Sequence, residues 1–365
     1  MAIQSLAVKY RPQRFDEVVE QEAIKKILGT QIETKTTKNA YLFSGGAGTG
    51  KTTSARIFAK EINKGKGKPI EIDGASNNSV EDVRKIIEDC KFQSLDVEFK
   101  TYIIDECHML STGAWNAMLK LLEEPPAKTI IILCTTDPQK IPATILSRVQ
   151  RFDFKRISYD RVVERLNYIL CKERSEWVDK ECEKYNITPE QPNVEDQVFD
   201  SCPIRWEEEA IEFIARIADG GMRDAITLLD KCLSYSEHLT LEAVTRALDF
   251  INFDDLNALF LALYKKDSKL VIELSEKMYK DGIDIKLLTK QLLSYVLNIH
   301  KFSLTNDYSS TNIPRTVLQT NDKIDINITI CLLDLLVKLN EVIKWETSPK
   351  VIFQANLLRW CRAWK

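Results

Sequence analysis

The fold of this chain is decided by one stretch, which reads Ser44-Gly45-Gly46-Ala47-Gly48-Thr49-Gly50-Lys51-Thr52-Thr53. It fits the phosphate-binding spacing G-x-x-x-x-G-K-[ST], the P-loop. An apolar run with strand composition precedes it at 40–43, and residues 54–60 follow with apolar positions at helical spacing. A glycine-rich turn between a strand and a helix lets backbone N–H groups surround phosphate oxygens. The stretch predicts a nucleoside triphosphate site in which Lys51 reaches the β- and γ-phosphates and the Thr52 hydroxyl binds Mg²⁺.

A second chemical signature is the run Lys100-Thr101-Tyr102-Ile103-Ile104-Asp105-Glu106. Its two adjacent carboxylates follow an apolar strand, at the end where open α/β sheets bind their ligands. Because side chains alternate along a strand, the two acids cannot do the same work. We expect Asp105 to hold the Mg²⁺ shell and Glu106 to polarise the water that attacks the γ-phosphate. The pair is a weak signal alone and a strong one downstream of a P-loop.

A third apolar strand, 129–134, ends in Thr135-Thr136, and a hydroxyl there would lie beside the end of the Asp105 strand. An ordinary helix cap is the competing interpretation of these threonines. The repeated alternation of strands and helices predicts an α/β domain with a parallel sheet in a three-layer sandwich.

From residue 158 onward the periodicity is almost purely helical. We expect three domains: a nucleotide-binding domain at 1–157, a helical lid at 158–249 and an all-α collar at 250–365. The stretch 172–205 holds several prolines and an excess of acidic residues, so we expect it to be an irregular, solvated insertion.

Composition narrows the function classes. The 365 residues carry a net charge of −3, so any contact with nucleic acid must be local rather than a property of the whole surface. No apolar run is long enough for a membrane helix, and the first residues lack the hydrophobic core of a signal peptide. The nine cysteines contain no C-x-x-C pair, which favours free thiols in a reducing cytoplasm over disulfides or a zinc site.

Seven motifs in order along the chain resemble the bacterial DNA polymerase III gamma/tau family, the ATPase of the AAA+ clamp loader. They are Tyr10-Arg11-Pro12-Gln13-x-Phe15, Gly45–Thr52, Ile103–Leu110, Leu121–Pro126, Thr135–Pro142, Ile145-Leu146-Ser147-Arg148 and Gly220–Ala225. The resemblance to the family is close over residues 1–160 and 206–250. Over 250–365 it is limited to the pattern and length of the helices. The resemblance implies a machine that binds and hydrolyses ATP to open a ring-shaped sliding clamp and to close it around primed DNA.

The resemblance also implies roles for single residues. Lys51 and Thr52 would bind phosphate and Mg²⁺, with Asp105 as the acidic Mg²⁺ partner and Glu106 as the catalytic base. Thr136 would be a first sensor of the γ-phosphate, and Arg223 a second sensor reaching it from the lid. Arg148 would be an arginine finger that acts in trans on ATP bound to a neighbouring subunit. The segment Tyr10, Arg11 and Pro12 would form a wall for the adenine.

The chain departs from the family pattern in several places. The family carries a cysteine-rich zinc module after the P-loop helix, whereas residues 61–70 here contain no cysteine, so we expect no zinc. Valine follows Ser147-Arg148 where the family usually has cysteine, and the insertion at 172–205 looks longer than the family's link. We also expect a divergent short form without the tau extension that contacts polymerase and helicase.

The implied partners are other clamp-loader subunits in an assembly of five, the sliding clamp and primer–template DNA, in a bacterial cytoplasm or in that of a virus's host. Arg84 matches a basic family position and is the expected DNA contact. Two other interpretations stay open at this stage. One is an AAA+ motor of the branch-migration type, and the other is a non-hydrolysing structural subunit of a clamp loader. The second is disfavoured because the P-loop, Glu106 and Arg223 are all present.

Overall fold

The structure, a computed structural model, describes residues 4–92, 97–184, 201–308, 311, 313, 317–318 and 324–362. The chain divides into two compact units, one formed by 1–173 with 218–230 and the other by 174–217 with 231–365. The expected division into three domains at residues 157 and 249 stays a prediction.

The helices of the described residues are α1 (Leu6–Lys9), α2 (Glu22–Thr34), α3 (Lys51–Ile62), α4 (Val80–Cys90), α5 (Thr112–Glu123), α6 (Ala143–Leu146), α7 (Tyr159–Lys184), α8 (Glu208–Ile217), α9 (Met222–Tyr235), α10 (Leu241–Ala247), α11 (Phe253–Tyr264), α12 (Ser268–Lys280), α13 (Ile285–Thr305), α14 (Ile326–Ile343) and α15 (Pro349–Arg362). Among these, none is both long and apolar enough to cross a membrane.

The first unit contains a five-stranded sheet of β1 (Ala40–Gly45), β2 (Ile70–Asp73), β3 (Lys100–Asp105), β4 (Thr129–Thr135) and β5 (Gln150–Phe154). The strand order is β2-β3-β4-β1-β5, and every pairing is parallel. All carboxyl ends therefore lie at one edge, and β4 lies between β1 and β3. The P-loop after β1, the threonines at the end of β4 and the acids at the end of β3 consequently become neighbours.

The central strands of the sheet are buried on both faces, because runs of apolar residues fill the interior of β1, β3 and β4. Leu42, Ile104 and Leu133 face one cluster, which α4 and α5 complete. The alternate residues Phe43 and Ile132 face the opposite cluster, which α2 and α3 complete. The predicted three-layer α/β sandwich is confirmed.

The prediction of an irregular stretch at 172–205 is wrong for its first part, since α7 continues to Lys184. Residues 172–184 are rich in Glu, Lys and Arg and hold no proline or glycine, so they have good helix propensity. A high content of charged residues is typical of a solvated loop and equally typical of an exposed helix face. Val178 packs inside with 6% of its surface exposed, which gives the extension an apolar anchor. Of the rest of the predicted insertion, residues 185–200 lie outside the described residues.

In the described residues of the second unit, the elements are helices apart from one short parallel pair, β6 (Arg205–Trp206) with β7 (His238–Leu239). The helical spacing of apolar residues at 206–218 predicts a helix from Trp206, whereas α8 begins at Glu208. Helices α11 to α15 surround one apolar cluster whose fully buried members include Phe260, Leu292 and Phe353. The sequence also predicts a last helix over 348–364 and a polar link at 305–325; residues 363–364 and about half of that link lie outside the described residues.

Tyr41 on β1 provides a test of how this sheet is stabilised. Its hydroxyl accepts from the Lys38 N–H at 2.7 Å and donates to Gln31 Oε1 at 2.9 Å, and the side chain is fully buried. Burial raises the pKa of Tyr41 to about 12, and the hydrogen bond from Lys38 opposes this shift. In the unfolded chain the pKa is about 10. The protonated phenol therefore stabilises the fold fully below pH ~10, and this contribution is lost as the pH rises through about 12.

We expect Tyr41→Phe to reduce the loss of stability at alkaline pH. Between about pH 9 and pH 12 the unfolding free energy of the variant should fall less than that of the parent chain, by up to about 3 kcal/mol. Denaturant unfolding of both chains across this range measures the difference. An equal fall of the unfolding free energy in both chains would contradict the raised pKa of Tyr41.

Candidate nucleotide site

The P-loop folds around the ammonium group of Lys51. Gly48 has φ 67° and Gly50 has φ 98°, backbone angles that suit glycine and turn the loop between β1 and α3. Lys51 Nζ donates to the carbonyl oxygens of Gly45 at 3.0 Å and Gly46 at 2.7 Å. Burial lowers the pKa of Lys51, and the nearby charges of Glu106 and Asp105 oppose this shift. The cation is thus held inside the loop, where phosphate oxygens can replace the carbonyl groups.

Thr52 and Asp105 meet directly, as the sequence predicted for a pair that shares one Mg²⁺ ion. Thr52 Oγ1 donates to Asp105 Oδ2 at 2.8 Å, and Asp105 Oδ1 accepts from the Glu106 N–H at 3.0 Å. Hydroxyl and carboxylate oxygens are the ligands that Mg²⁺ prefers, usually with few protein ligands and several waters. Over the described ranges, no three His, Cys, Asp or Glu residues are grouped to hold a metal ion. The expected absence of zinc stays a prediction.

A cavity of about 240 Å³ lies beside the loop. Of the predicted nucleotide-binding residues, Tyr10, Arg11, Pro12, Gly48, Thr49, Gly50, Lys51, Thr52 and Thr53 line it, together with Asp105 and Arg223. Gly45, Gly46 and Ala47 do not line it. An apolar wall of Ala7, Val18, Val19, Ile157, Met222 and Ile226 completes it. A pocket with an apolar side and a phosphate-binding side fits the two halves of a nucleotide.

Two arginines in the cavity wall were missed by the sequence analysis. Arg165 on α7 donates from Nη2 to the Tyr10 carbonyl at 3.1 Å, which ties the predicted adenine segment to that helix. Arg56 on α3 forms a two-point ion pair with Glu71, with its Nε 2.7 Å from Oε1. Neither residue belongs to a recognisable motif. The only available signal for Arg56 was its place one helical turn after Thr52.

The P-loop is also packed against the turn that begins α9. The Met222 N–H donates to the Gly48 carbonyl at 3.0 Å. A Cβ atom on Gly48 would lie 3.0 Å from Gly221 Cα and 3.3 Å from the Arg223 nitrogen. This backbone-to-backbone approach puts Arg223, the predicted second sensor, at the rim of the cavity.

Glu106 is held at the end of β3 in a left-handed backbone conformation, with φ 44°. Such a conformation is unfavourable for a residue with a side chain and is typical of functional sites. Thr136 Oγ1 donates to Glu106 Oε2 at 3.1 Å, so the structure joins the predicted sensor to the predicted base. His108 Nδ1 lies 3.3 Å from the same oxygen. His108 lies within the Ile103–Leu110 motif, but the sequence alone predicts no role for it.

Arg148 lies apart from the cavity of its own chain. Its guanidinium donates to Glu123 Oε1 at 2.7 Å, to the Thr144 carbonyl at 2.5 Å and to Ser147 Oγ at 3.2 Å. The side chains of the ion pair are 34% and 49% exposed. Arg84, the predicted DNA contact, is exposed on α4.

Comparison with known proteins points to one family. Residues 65–158 match the family model "DNA polymerase III, delta subunit", and residues 196–238 match "DNA polymerase III clamp loader subunit, ATPase lid domain". The chain is 35% identical to DNA polymerase III subunit tau of Bacillus subtilis, over 99% of this chain and 64% of that protein. It is 31% identical to DNA polymerase III subunit gamma of Buchnera aphidicola subsp. Acyrthosiphon pisum, over 98% of this chain and 99% of that protein.

Several of these relatives are longer than the chain. The chain spans 64%, 51% and 46% of the lengths of the first three curated relatives it matches. Among solved structures, the Thermotoga maritima RuvB Holliday junction branch migration motor is 18% identical with a TM-score of 0.48, over 70% of this chain and 79% of that one. A likeness at this level carries no inference about function. The match to the lid domain, with the parallel sheet, confirms the predicted AAA+ fold class followed by helical regions.

We expect Gly48→Ala to weaken nucleotide binding at least ~10-fold. The added methyl group would press on the backbone of Gly221, and alanine is strained at a positive φ by about 1–2 kcal/mol. Titration with a fluorescent ATP analogue measures the affinity. Gly29→Ala is the matched control, because a Cβ atom there meets nothing within 4 Å on helix α2. Equal affinities in the two variants would show that the close approach is unimportant.

Proposed function

Because this chain belongs to the DNA polymerase III gamma/tau family, we propose that it is a clamp-loader subunit that binds and hydrolyses ATP. The observation that supports this most directly is the convergence of the P-loop, the Thr52–Asp105 hydrogen bond and Arg223 on one cavity. In this proposal, ATP binding and hydrolysis by the assembled loader open a ring-shaped sliding clamp and close it around primed DNA.

The binding roles follow from the walls of the cavity. The adenine ring of ATP would lie against Tyr10, Arg11, Pro12 and the apolar wall. The phosphates would lie in the loop Gly45–Thr53. Lys51 would exchange its two carbonyl partners for phosphate oxygens, which are stronger acceptors for an ammonium group. Arg223 would contact the γ-phosphate and so couple α9 to the state of the nucleotide.

The hydrolytic roles fall to the ends of β3 and β4. Thr52 and Asp105 would hold Mg²⁺, whose charge would offset that of the phosphates. Glu106 would accept a proton from the attacking water, or orient that water, as a general base. Thr136 would fix the Glu106 carboxylate through its hydrogen bond and report the state of the site along β4.

Arg148 would act on a neighbouring subunit. Its absence from the lining of its own cavity and its position on an exposed surface support this role. An exposed ion pair with Glu123 is weak, so a phosphate oxygen with more charge can replace that carboxylate. Hydrolysis would then depend on assembly, because an arginine finger is worth roughly 10³–10⁵ in rate.

The remaining partners are proposed from the family. They are other clamp-loader subunits in an assembly of five, the sliding clamp, and primer–template DNA held through its phosphates with Arg84 as one contact. A cytoplasmic location fits these partners. The alternative of a non-hydrolysing structural subunit is disfavoured, because Glu106 and Thr136 are already joined beside an intact P-loop.

The base assignment is tested with Glu106→Gln. We expect the variant to bind ATP with an affinity close to that of the parent chain. Its rate of ATP hydrolysis should be lower by a factor of at least about 100, because an amide cannot accept the proton. ATPase assays of the loader, with and without clamp and primed DNA, measure turnover. Stimulation of the parent chain by clamp and primed DNA supports the clamp-loader proposal. Undiminished hydrolysis by Glu106→Gln would rule out Glu106 as the base.

The role of Arg148 is tested with Arg148→Ala. We expect ATP binding in the same chain to persist while turnover of the assembled loader falls by about 10³-fold. Arg151→Ala is the matched control, because Arg151 is an exposed arginine on β5 that pairs with Asp153 at 2.8 Å. Loss of ATP binding by isolated Arg148→Ala would show that the arginine serves its own site.

A further inference from the structure

The side chain of His108 lies against the Glu106 carboxylate in a nearly buried position. Its Nδ1 atom lies 3.3 Å from Glu106 Oε2, and the imidazole is 11% exposed. A 3₁₀ turn, Cys107–Met109, follows Glu106 directly and returns the chain so that His108 faces back towards it. The turn is closed by the Met109 N–H, which donates to the Glu106 carbonyl at 3.0 Å. The backbone therefore fixes where the imidazole lies.

Thr135 contacts the same ring nitrogen, Nδ1. His108 Nδ1 shares a hydrogen bond of 3.1 Å with Thr135 Oγ1, which also accepts from the Asp137 N–H at 3.0 Å. Thr135 is fully buried on β4, so this partner cannot exchange readily with water. A lone pair on Nδ1 would repel the carboxylate at 3.3 Å, whereas an N–H there attracts it. The surroundings thus favour the form of the ring that carries its proton on Nδ1.

The two oxygens of the Glu106 carboxylate have different surroundings. Oε2 accepts from Thr136 and lies beside His108. Oε1 has no hydrogen-bond partner in the part of the chain that the structure describes, and the side chain is 40% exposed. Oε2 is therefore fixed between Thr136 and His108, whereas Oε1 is free to accept a hydrogen bond from a water molecule.

We propose that His108 is a positioning residue for Glu106, fixing Oε2 so that Oε1 is presented to the attacking water. This rests on the proposed role of Glu106 as the base. His108 touches neither nucleotide nor water in this proposal. It acts through the carboxylate, and Thr136 is the second residue that holds the same oxygen. Orientation of a base matters because proton transfer requires hydrogen-bond distance to the attacking water.

Three substitutions separate the Nδ1 donor from the bulk of the ring. His108→Leu removes the donor and fills the space of the ring with an apolar side chain. His108→Asn places an amide N–H near the position of Nδ1, whereas His108→Gln places it near that of Nε2. We expect kcat for ATP hydrolysis by the assembled loader to fall by about 10-fold in His108→Leu with KM and ATP affinity little changed, a part of the 10²–10⁴ that a positioned base contributes. His108→Asn should recover most of the loss, and His108→Gln should not.

A second background distinguishes positioning from damage to the fold. In Glu106→Gln, adding His108→Leu should not lower the residual turnover further, because the group through which His108 acts is already disabled. Full turnover by His108→Leu, rescue by Gln rather than Asn, or an independent further loss in the Glu106→Gln background would each overturn the proposal. The outcome for Glu106→Gln alone tests the base assignment separately. If the proposal about His108 is wrong, the proposed function of the chain is therefore unaffected.

Discussion

Three neighbouring parallel strands determine how the P-loop, the acids and the threonines of the nucleotide site lie relative to one another. The register pairs Ser44 of β1 with Thr135 of β4, and Leu133 of β4 with Ile104 of β3. The chain leaves all three strands at the same edge, so the P-loop, the threonines and the acids meet without any long loop. A slip of one residue in β4 would exchange its two faces and move both threonine hydroxyls away from the acids. The buried apolar residues on both faces specify this register, because each has a place in only one of the two clusters.

Charge in the site is balanced by contacts that nucleotide binding would rearrange. Lys51 is satisfied by two carbonyl groups and Thr52 by Asp105. Each polar group has a partner of moderate strength, and a phosphate oxygen or a cation is a stronger one. The site is therefore preorganised in position while its hydrogen bonds remain exchangeable. Preorganised polar groups avoid much of the cost of reorientation during the reaction.

The sequence predicted the parts of the site that belong to local motifs. The P-loop, the Asp105–Glu106 pair and Thr136 were found because each lies at a recognisable point between a strand and a helix, and the structure brings them together as expected. Their chemical roles remain proposals. The contact of Gly48 with Gly221 and that of Tyr10 with Arg165 could not be predicted, since they join residues far apart in sequence and involve backbone atoms. The extension of α7 was missed because charged residues suit both solvated loops and exposed helices.

The first described turn of the chain is as much a component of the nucleotide site as the P-loop. The Leu6 N–H donates to Asp230 Oδ2 at 3.1 Å, Lys9 pairs with Glu173 at 2.6 Å, and the Tyr10 carbonyl accepts from Arg165. These contacts connect residues 6–10 to α7 and α9, the two helices that contribute Arg165 and Arg223 to the cavity. Trimming this turn, or attaching a bulky label to it, would disturb all three contacts with these two helices together. A loss of ATP binding in such a protein would therefore be no measure of the phosphate-binding loop itself.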